Sequence, residues 1–500
     1  MSDIDSAPSG LSRRTILQGG AAVAATAGLV IFGASPVMAA NTTYYVAANG
    51  NDAANGTSQS TPWRTLAKVS SVTFGAGDQI LFRSGDTFPG VLAPRGSGSP
   101  SAHIVFGRYG SGPRPILQGA GAVPATIHIT TSSNLTIRDL EITNTAATRA
   151  YRSGILIATP AAGLSNINLR YLNIHDVTGA PYTGQGDFPA AACGGISVTS
   201  AGERVVTNLL VQDVTITNVD DHGIRTTATS QTARGSNYTF RYVDVVNAGG
   251  NGLVMANVSG ALIEGCTVRN SGGRSTACAG IWPVYSENVV VQNNGVWSQT
   301  TLANDGFSYN CDWQNTNAIF QYNYSQDSPK GFFQSFFQST AIVRYNISQN
   351  DWSGFAFYGA SGIQVYNNTV YGLGGSTGPV MNSFANQGRT PSNNVLTNNI
   401  LWNRGSGGFT NLGVSYNRNL FHGNRPASEP TGGNKLVADP RLFSPGSDSS
   451  WVASGYRLRS GSPALGSGVT IPGNGGLDYY TAPVSSTALP NIGAYNGVGL

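Results

Sequence analysis

The chain has 500 residues, of which 65 are glycine and only 10% are charged, and its formal net charge is +4. So small a positive excess argues against a nucleic-acid partner, and the glycine content suits tight turns and short strands. A chain this long buries a core that needs no disulfides, and its four cysteines show no metal-ligand spacing with its five histidines.

Residues 1–40 read as an export signal. SRRTIL (12–17) carries paired arginines, AAVAATAGLVIFGA (21–34) is a short apolar stretch, and Val37-Met38-Ala39 offers a cleavage site. The segment resembles a twin-arginine signal, which implies export of a folded chain to the periplasm or beyond. No other stretch is long and apolar enough to span a bilayer. YYVAANGNDAANGT (44–57) then leads into TPWRTLAKV (61–69). Thr61 can N-cap a short helix with Pro62 at its first position. A helix near 62–70 would cover the open apolar end of a first coil, and GAGDQILFRSGDTF (75–88) begins the strands.

From residue 134 to 421 one pattern recurs eleven times, beginning NLTIRDLEI (134–142), NINLRYLNI (166–174) and NLLVQDVTI (208–216) and ending GVSYNRNLF (413–421). Its fourth position is apolar throughout, as in Ile137, Leu169, Val211, Phe240, Phe320 and Tyr416. Its seventh runs Leu140, Leu172, Val214, Val243, Cys266, then Asn294, Asn323, Asn346, Asn368, Asn399 and Asn419. Stacked amides can hydrogen-bond to one another and to turn backbone. A ladder of that kind needs like positions about 4.8 Å apart, the spacing of parallel strands. Polar turns such as Asp176, Asn218 and Asn350 follow, and then a third strand of the form Gly-apolar-x-apolar: GILI (154–157), GISV (195–198), GFSY (306–309), GFFQ (331–334).

Three short strands per repeat predict an all-β, parallel β-helix solenoid over about 75–425. The pattern resembles right-handed β-helix proteins of the pectate-lyase-like superfamily. Domain limits follow as 1–40 for the signal, 41–430 for the β-helix with its N-terminal cap, and 431–500 for a C-terminal capping segment. GYRLRSGSPALGSG (455–468) and NIGAY (491–495) resemble the closing segment of that superfamily. Cys266 is expected buried as a small apolar residue. Cys193 and Cys278 share a register but lie three coils apart, about 14 Å at strand spacing, too far for a bridge.

In such solenoids the third strand and its flanking turns usually form the substrate groove. The residue before the strand's glycine makes one column, including His222, Asn251, Asp305 and Lys330, and the residue two after it is expected to face outward, including Arg225, Trp282, Ser308 and Phe333. NDGFSYNCDW (304–313) sets Asp305 and Asp312 on either side of one strand. With AIFQYNYSQD (318–327) it resembles β-helix glycoside hydrolases of the lacto-N-biosidase type. That resemblance implies Asp305 as nucleophile or base and Asp312 as general acid. Seven residues of straight strand would hold them about 23 Å apart, far beyond the roughly 5–9.5 Å that a carboxylate pair needs. A sharp turn is therefore expected near Asn310-Cys311, or else Asp312 pairs with Glu287 of the preceding coil. Lys330, one coil on, either holds Asp305 ionised or acts as a base. His222 and Arg225 suit a neighbouring sugar subsite. Trp282, Tyr309, Phe333, Trp313 and Tyr358 are candidate sugar-contacting aromatics.

The leading expectation is an exported, monomeric glycoside hydrolase acting on a polysaccharide or oligosaccharide without a cofactor. A polysaccharide lyase is the alternative, with Lys330, His222 or Arg225 as base and often Ca²⁺ to neutralise the uronate. Asp220-Asp221 is the only adjacent acidic pair, which counts against a Ca²⁺ site, since that ion needs several oxygens together. A non-catalytic carbohydrate-binding solenoid is the third reading.

Overall fold

An apolar residue at every fourth position gives each short strand one face that must leave water, and the structure turns that face inward. Ile137, Leu169, Val211, Phe240, Ile263, Val291, Val343 and Val365 form one fully buried column. Burying each such side chain contributes about 1.5–3 kcal/mol. The computed structural model describes residues 41–183, 193–302 and 305–500, so the export signal expected at 1–40 lies outside the described residues. Among these, 26 strands form one continuous sheet around two sides of a right-handed β-helix, and eleven strands form the third side. The ladders between successive coils are parallel, as in Leu169↔Val211↔Phe240↔Ile263 on the first side and Val198↔Thr226 on the third. The first two sides join because Val206–Val219 and Gly235–Val246 run on through the corner between them.

The corners are made by residues that tolerate positive φ. Asn134, Asn166, Asn208, Asn237, Asn288, Asn317 and Asn393 open the first side with φ between 51° and 58°, a conformation asparagine enters at low cost. These residues also form a second, outer ladder. Asn208 donates to Asn166 at 2.9 Å and Asn237 to Asn208 at 3.0 Å. The inner ladder forms as its column predicts. Asn294, Asn323, Asn346, Asn368, Asn399 and Asn419 are all fully buried. Each Nδ2 donates to the next Oδ1, at 3.0, 3.0, 2.8, 2.9 and 2.9 Å. Each also reaches a strand carbonyl, as Asn346 reaches Phe320 at 3.0 Å. Cys266 stands where the ladder begins, and its backbone N–H donates to Asn294 Oδ1 at 2.9 Å.

The two ends depart from expectation. The helix is Leu66–Ser71, N-capped by Thr65, whose hydroxyl accepts from the Lys68 N–H at 3.1 Å. Thr61 is not the cap: its hydroxyl donates to Asn55 at 2.9 Å inside a turn. Pro62 is not helical, because Trp63 is drawn into a parallel bridge with Val46 and stacks on Tyr44 at 4.7 Å. Leu66 and Val69 then join Trp63 and Val46 in the core, so the short helix still closes the first coil. Pairing also starts earlier than residue 75, since Thr43–Val46 lies parallel to Gln79–Phe82. At the other end Leu436–Val437 adds a last rung. The remaining tail is not confined to the C-terminal end. Arg344 donates to the Gly473 carbonyl at 2.8 Å, Gln349 to that of Asp448 at 2.7 Å, and Asn367 to that of Asn491 at 2.8 Å. It therefore straps the outer flank of the later coils, where Tyr456, Tyr479 and Ile492 pack against Tyr324, Tyr345 and Ile400.

Asn346→Leu is predicted to lower the melting temperature although leucine is more apolar. The change removes the acceptor of the Asn323 backbone N–H and amide in a dry column, at about 1–3 kcal/mol for each lost partner. Thermal unfolding of the variant checks it, and an unchanged midpoint would contradict the satisfied ladder.

Candidate active site

The third side carries the site, and its register decides which side chains reach solvent. Pairing of Arg225 with Val254 and of Val254 with Trp282 makes one outward column. Ile281 pairs with Tyr309, which sets Asn310 beside Trp282, and Asn310 pairs with Gln334. Two residues further along each strand a second outward column passes through Ala256 and Val284 and continues as Asp312, Phe336 and Tyr358.

The glycine rule used to align these strands fails in two coils. Gly306 lies two residues, and Gly331 one residue, before the position that Gly280 occupies. Both adopt φ near 140°, a conformation that favours glycine; Gly306 precedes the strand Phe307–Cys311, and Gly331 opens the strand Gly331–Phe336. Tyr309 and Phe333 point inward. Both are buried in the core, the Tyr309 hydroxyl donates to the Asn294 and Tyr324 carbonyls at 3.1 and 2.8 Å, and Phe333 packs 5.0 Å from Phe320. Neither is available to a ligand. Ser308 is likewise internal, fully buried and bonded to Ser325 at 2.6 Å. Glu287 also leaves the site: it heads the first-side strand Glu287–Gln292 and faces Arg234 at 3.8 Å.

A cleft of about 500 Å³ remains over the third side, within the usual range for ligand sites. Arg225, Trp282, Asp305, Asn310, Asp312 and Trp313 line it, over an apolar floor of Val254, Ala256 and Val284. The strand Phe307–Cys311 separates the two aspartates in sequence, yet they face one cleft. The sharp turn expected near Asn310-Cys311 is not made there, because those two residues stay within the strand; the two aspartates lie just beyond its two ends. Asp305 folds back to accept a hydrogen bond from the Gln334 side chain. Gln334 sits opposite Asn310, and Asn310 Nδ2 donates to Asp312 Oδ2 at 3.3 Å. Two neighbouring amides thus hold one carboxylate each. The Trp313 N–H donates to the other Asp312 oxygen at 2.8 Å.

Burial pushes Asp305 up to about 6, against the opposing pull of the Gln334 hydrogen bond and the Lys330 charge. Lys330 is half-buried, and its stem lies over Gly306, where an added Cβ would meet its Cγ at 3.2 Å. It stands beside Asp305 without lining the cleft.

His222 sits beneath the floor and has no access to a ligand, being 1% exposed. Burial, and then the charge of Arg225, hold its imidazole neutral, well below the usual range. The backbone N–H of Asn251 donates to Nδ1 at 3.3 Å, which assigns the ring proton to Nε2, facing Asp221 at 3.4 Å. The Asn251 amide is oriented by the same logic. Its Oδ1 accepts from the Ala279 N–H and from Trp282 Nε1, both at 2.7 Å, and its Nδ2 faces His222 Nδ1 at 3.1 Å. Asp221, His222 and Asn251 therefore form a buried relay that fixes the Trp282 indole in the cleft wall. Asn251 and Gln334 are the members that sequence reasoning passed over. Asn251 stood in the pre-glycine column, and only the register shows that it belongs with Trp282.

Two overlapping matches to the family model described as a right handed beta helix region cover residues 122–296 and 194–372, just over half of the chain. The chain belongs to this family of right-handed β-helix proteins. A lacto-N-biosidase of Bifidobacterium longum subsp. longum is 26% identical over 513 aligned positions, which take in 80% of this chain and 31% of the relative. The chain thus spans about a third of the length of that curated relative. Among solved structures, a lacto-N-biosidase from Eubacterium ramulus matches with a TM-score of 0.56 at 19% identity, over 76% of this chain and 68% of the other. XylC in complex with xylose matches with a TM-score of 0.54 at 11% identity, over 92% and 99% of the two chains. These structural likenesses concern the fold alone.

Asn251→Leu is predicted to lower the melting temperature by removing its hydrogen bonds to Trp282, Ala279 and His222, at about 1–3 kcal/mol each. Trp282→Phe, which removes a donor and leaves an acceptor already satisfied by Ala279, should cost less. The double variant should fall short of the sum, because the two residues share one bond. Thermal unfolding of the three variants measures that coupling.

Proposed function

We propose that this chain is a glycoside hydrolase that cleaves an oligosaccharide or polysaccharide with Asp305 and Asp312 as its carboxylate pair. The observation that carries the reading is the meeting of these two side chains in one cleft, each held by an amide, over an apolar and aromatic floor. Two carboxyl groups on one groove are what glycosidic hydrolysis requires. The similarity to a lacto-N-biosidase supports the same class and makes lacto-N-biosides the first substrates to assay. The chain acts as a monomer outside the cytoplasm, with 1–40 as a twin-arginine export signal.

The environments argue for a division of labour opposite to the one the resemblance implied. Asp305, raised to about 6 by burial, holds its proton in mildly acidic solution and is the general acid, protonating the departing glycosidic oxygen. Asp312, oriented by Asn310 and the Trp313 N–H, attacks the anomeric carbon or takes a proton from the attacking water. Trp282 and Trp313 give the sugar an apolar face to lie on. Lys330 tunes Asp305 through its charge. A lyase using Ca²⁺ fits less well, because among the described residues no three His, Cys, Asp or Glu side chains gather to hold a metal.

Asp305→Asn and Asp312→Asn are each predicted to cut turnover by at least about 10²-fold while the fold persists, since the amide keeps the volume and loses the proton chemistry. A reducing-end assay across a glycan panel, paired with ultraviolet detection of unsaturated uronates, separates hydrolase from lyase. Retained turnover in both variants would sink the aspartate pair.

The pH profile supplies an independent test. Asp305 must be protonated to act as the acid, so kcat/KM should decline as pH rises through about 6. The Lys330 charge favours ionised Asp305, so Lys330→Met should move that alkaline limb to higher pH with turnover retained. Complete loss of activity in Lys330→Met would instead point to lysine as the base of a lyase.

A further inference from the structure

The outward column that holds Asp312 does not end at the cleft. It continues toward the C-terminal coils as Phe336, Tyr358 and Phe384, paired in register across three strands. The ring centroids of Phe336 and Tyr358 are 5.0 Å apart, and those of Tyr358 and Phe384 4.8 Å. Trp313, in the cleft wall, lies 6.4 Å from Phe336 and joins this row to the site. Phe384 is 38% exposed. In the N-terminal direction the same column is Val284 and Ala256, which offer no ring. This column is therefore aromatic on its C-terminal side alone, continuous with the cleft, and directed along the solenoid axis.

The position of Asp305 says which part of a substrate this row meets. Its carboxyl group bonds to Gln334 of the next coil and feels the charge of Lys330 from that coil. Tyr358, two coils on, is near enough for Asp305 to add to the burial that raises its phenol to about 12. A general acid stands beside the leaving oxygen, so the departing half of the substrate extends toward Phe336, Tyr358 and Phe384. Aromatic rings spaced about 4.8 Å apart present a repeating apolar strip, and the C–H faces of successive pyranose rings repeat at a similar pitch. We infer that Phe336, Tyr358 and Phe384 form a binding track for the leaving-group side of the glycan, and that the substrate carries at least two sugar residues beyond the scissile bond. This inference rests on the hydrolase reading and on Asp305 as the acid.

The test compares two leaving groups on the glycosyl unit that the glycan panel shows to be released. One substrate is its p-nitrophenyl glycoside, with a single small ring; the other carries the same unit on a linear tetrasaccharide. Phe384→Ser should lower kcat/KM on the tetrasaccharide conjugate by about tenfold more than on the aryl glycoside, chiefly through KM. Phe384→Tyr should restore the difference, which a merely structural role would not do, and the exposure of Phe384 keeps the fold out of question. Equal losses on both substrates, or none on either, would overturn the track while leaving the hydrolase intact. If no glycan is hydrolysed, the hydrolase reading falls, and calorimetric titration with the panel oligosaccharides still decides the track. Binding weakened by Phe384→Ser and regained in Phe384→Tyr upholds it as a saccharide site, and binding indifferent to both overturns it.

Discussion

Parallel pairing of each coil with the next is the constraint on which everything else rests. It sets like positions about 4.8 Å apart, so every side chain has a neighbour above and below in its own column. A column tolerates only side chains that pack or bond well beside their equivalents. Aliphatic residues satisfy this by contact. Asparagine satisfies it in the dry interior because each amide finds another amide at hydrogen-bonding distance, as from Asn294 to Asn419. The same rule operates outside, where the outer asparagines bond coil to coil at the first corner and the aromatic rings beyond Asp312 pack tilted against one another.

This repetition is why the fold was legible in the sequence. Eleven copies of one pattern average out local irregularity, and the seventh position reads as inward from the sequence alone. Single events were less legible. The helix was misplaced because Thr61-Pro62 has good capping chemistry locally, while the choice of Thr65 depends on Trp63 finding Tyr44 and Val46. Propensity is local, and that contact is not.

The site divides in the same way. Asp305, Asp312, Arg225 and Trp282 were legible because charges are scarce in this chain and the strand motif frames them. Phe333 was misread because Gly331 looks like the other glycines yet sits one residue ahead of their position, and Tyr309 is its inward partner in register. A shift of one residue along a strand moves a side chain from solvent to core. The strand between the two aspartates is five residues, Phe307–Cys311, and Asp305, ahead of it, accepts a hydrogen bond from Gln334 of the next coil.

Burial alone does not single out the proposed acid. Asp221 and Asp351 are more deeply buried than Asp305 and are raised to about 7 by that burial. Asp351 is enclosed by the hydroxyls of Ser325 and Ser348, both at 2.6 Å, and by the Ser328 N–H at 2.9 Å. Its oxygens are committed to a corner of the solenoid, with no route to a substrate. Asp221 lies behind Arg225 and serves the relay that holds Trp282. Asp305 differs in having one wall of protein and one of open cleft, so that its raised proton affinity is available to a ligand. An acid useful for catalysis needs both the desolvation and the opening, and of these three carboxyl groups Asp305 is the one that lines the cleft.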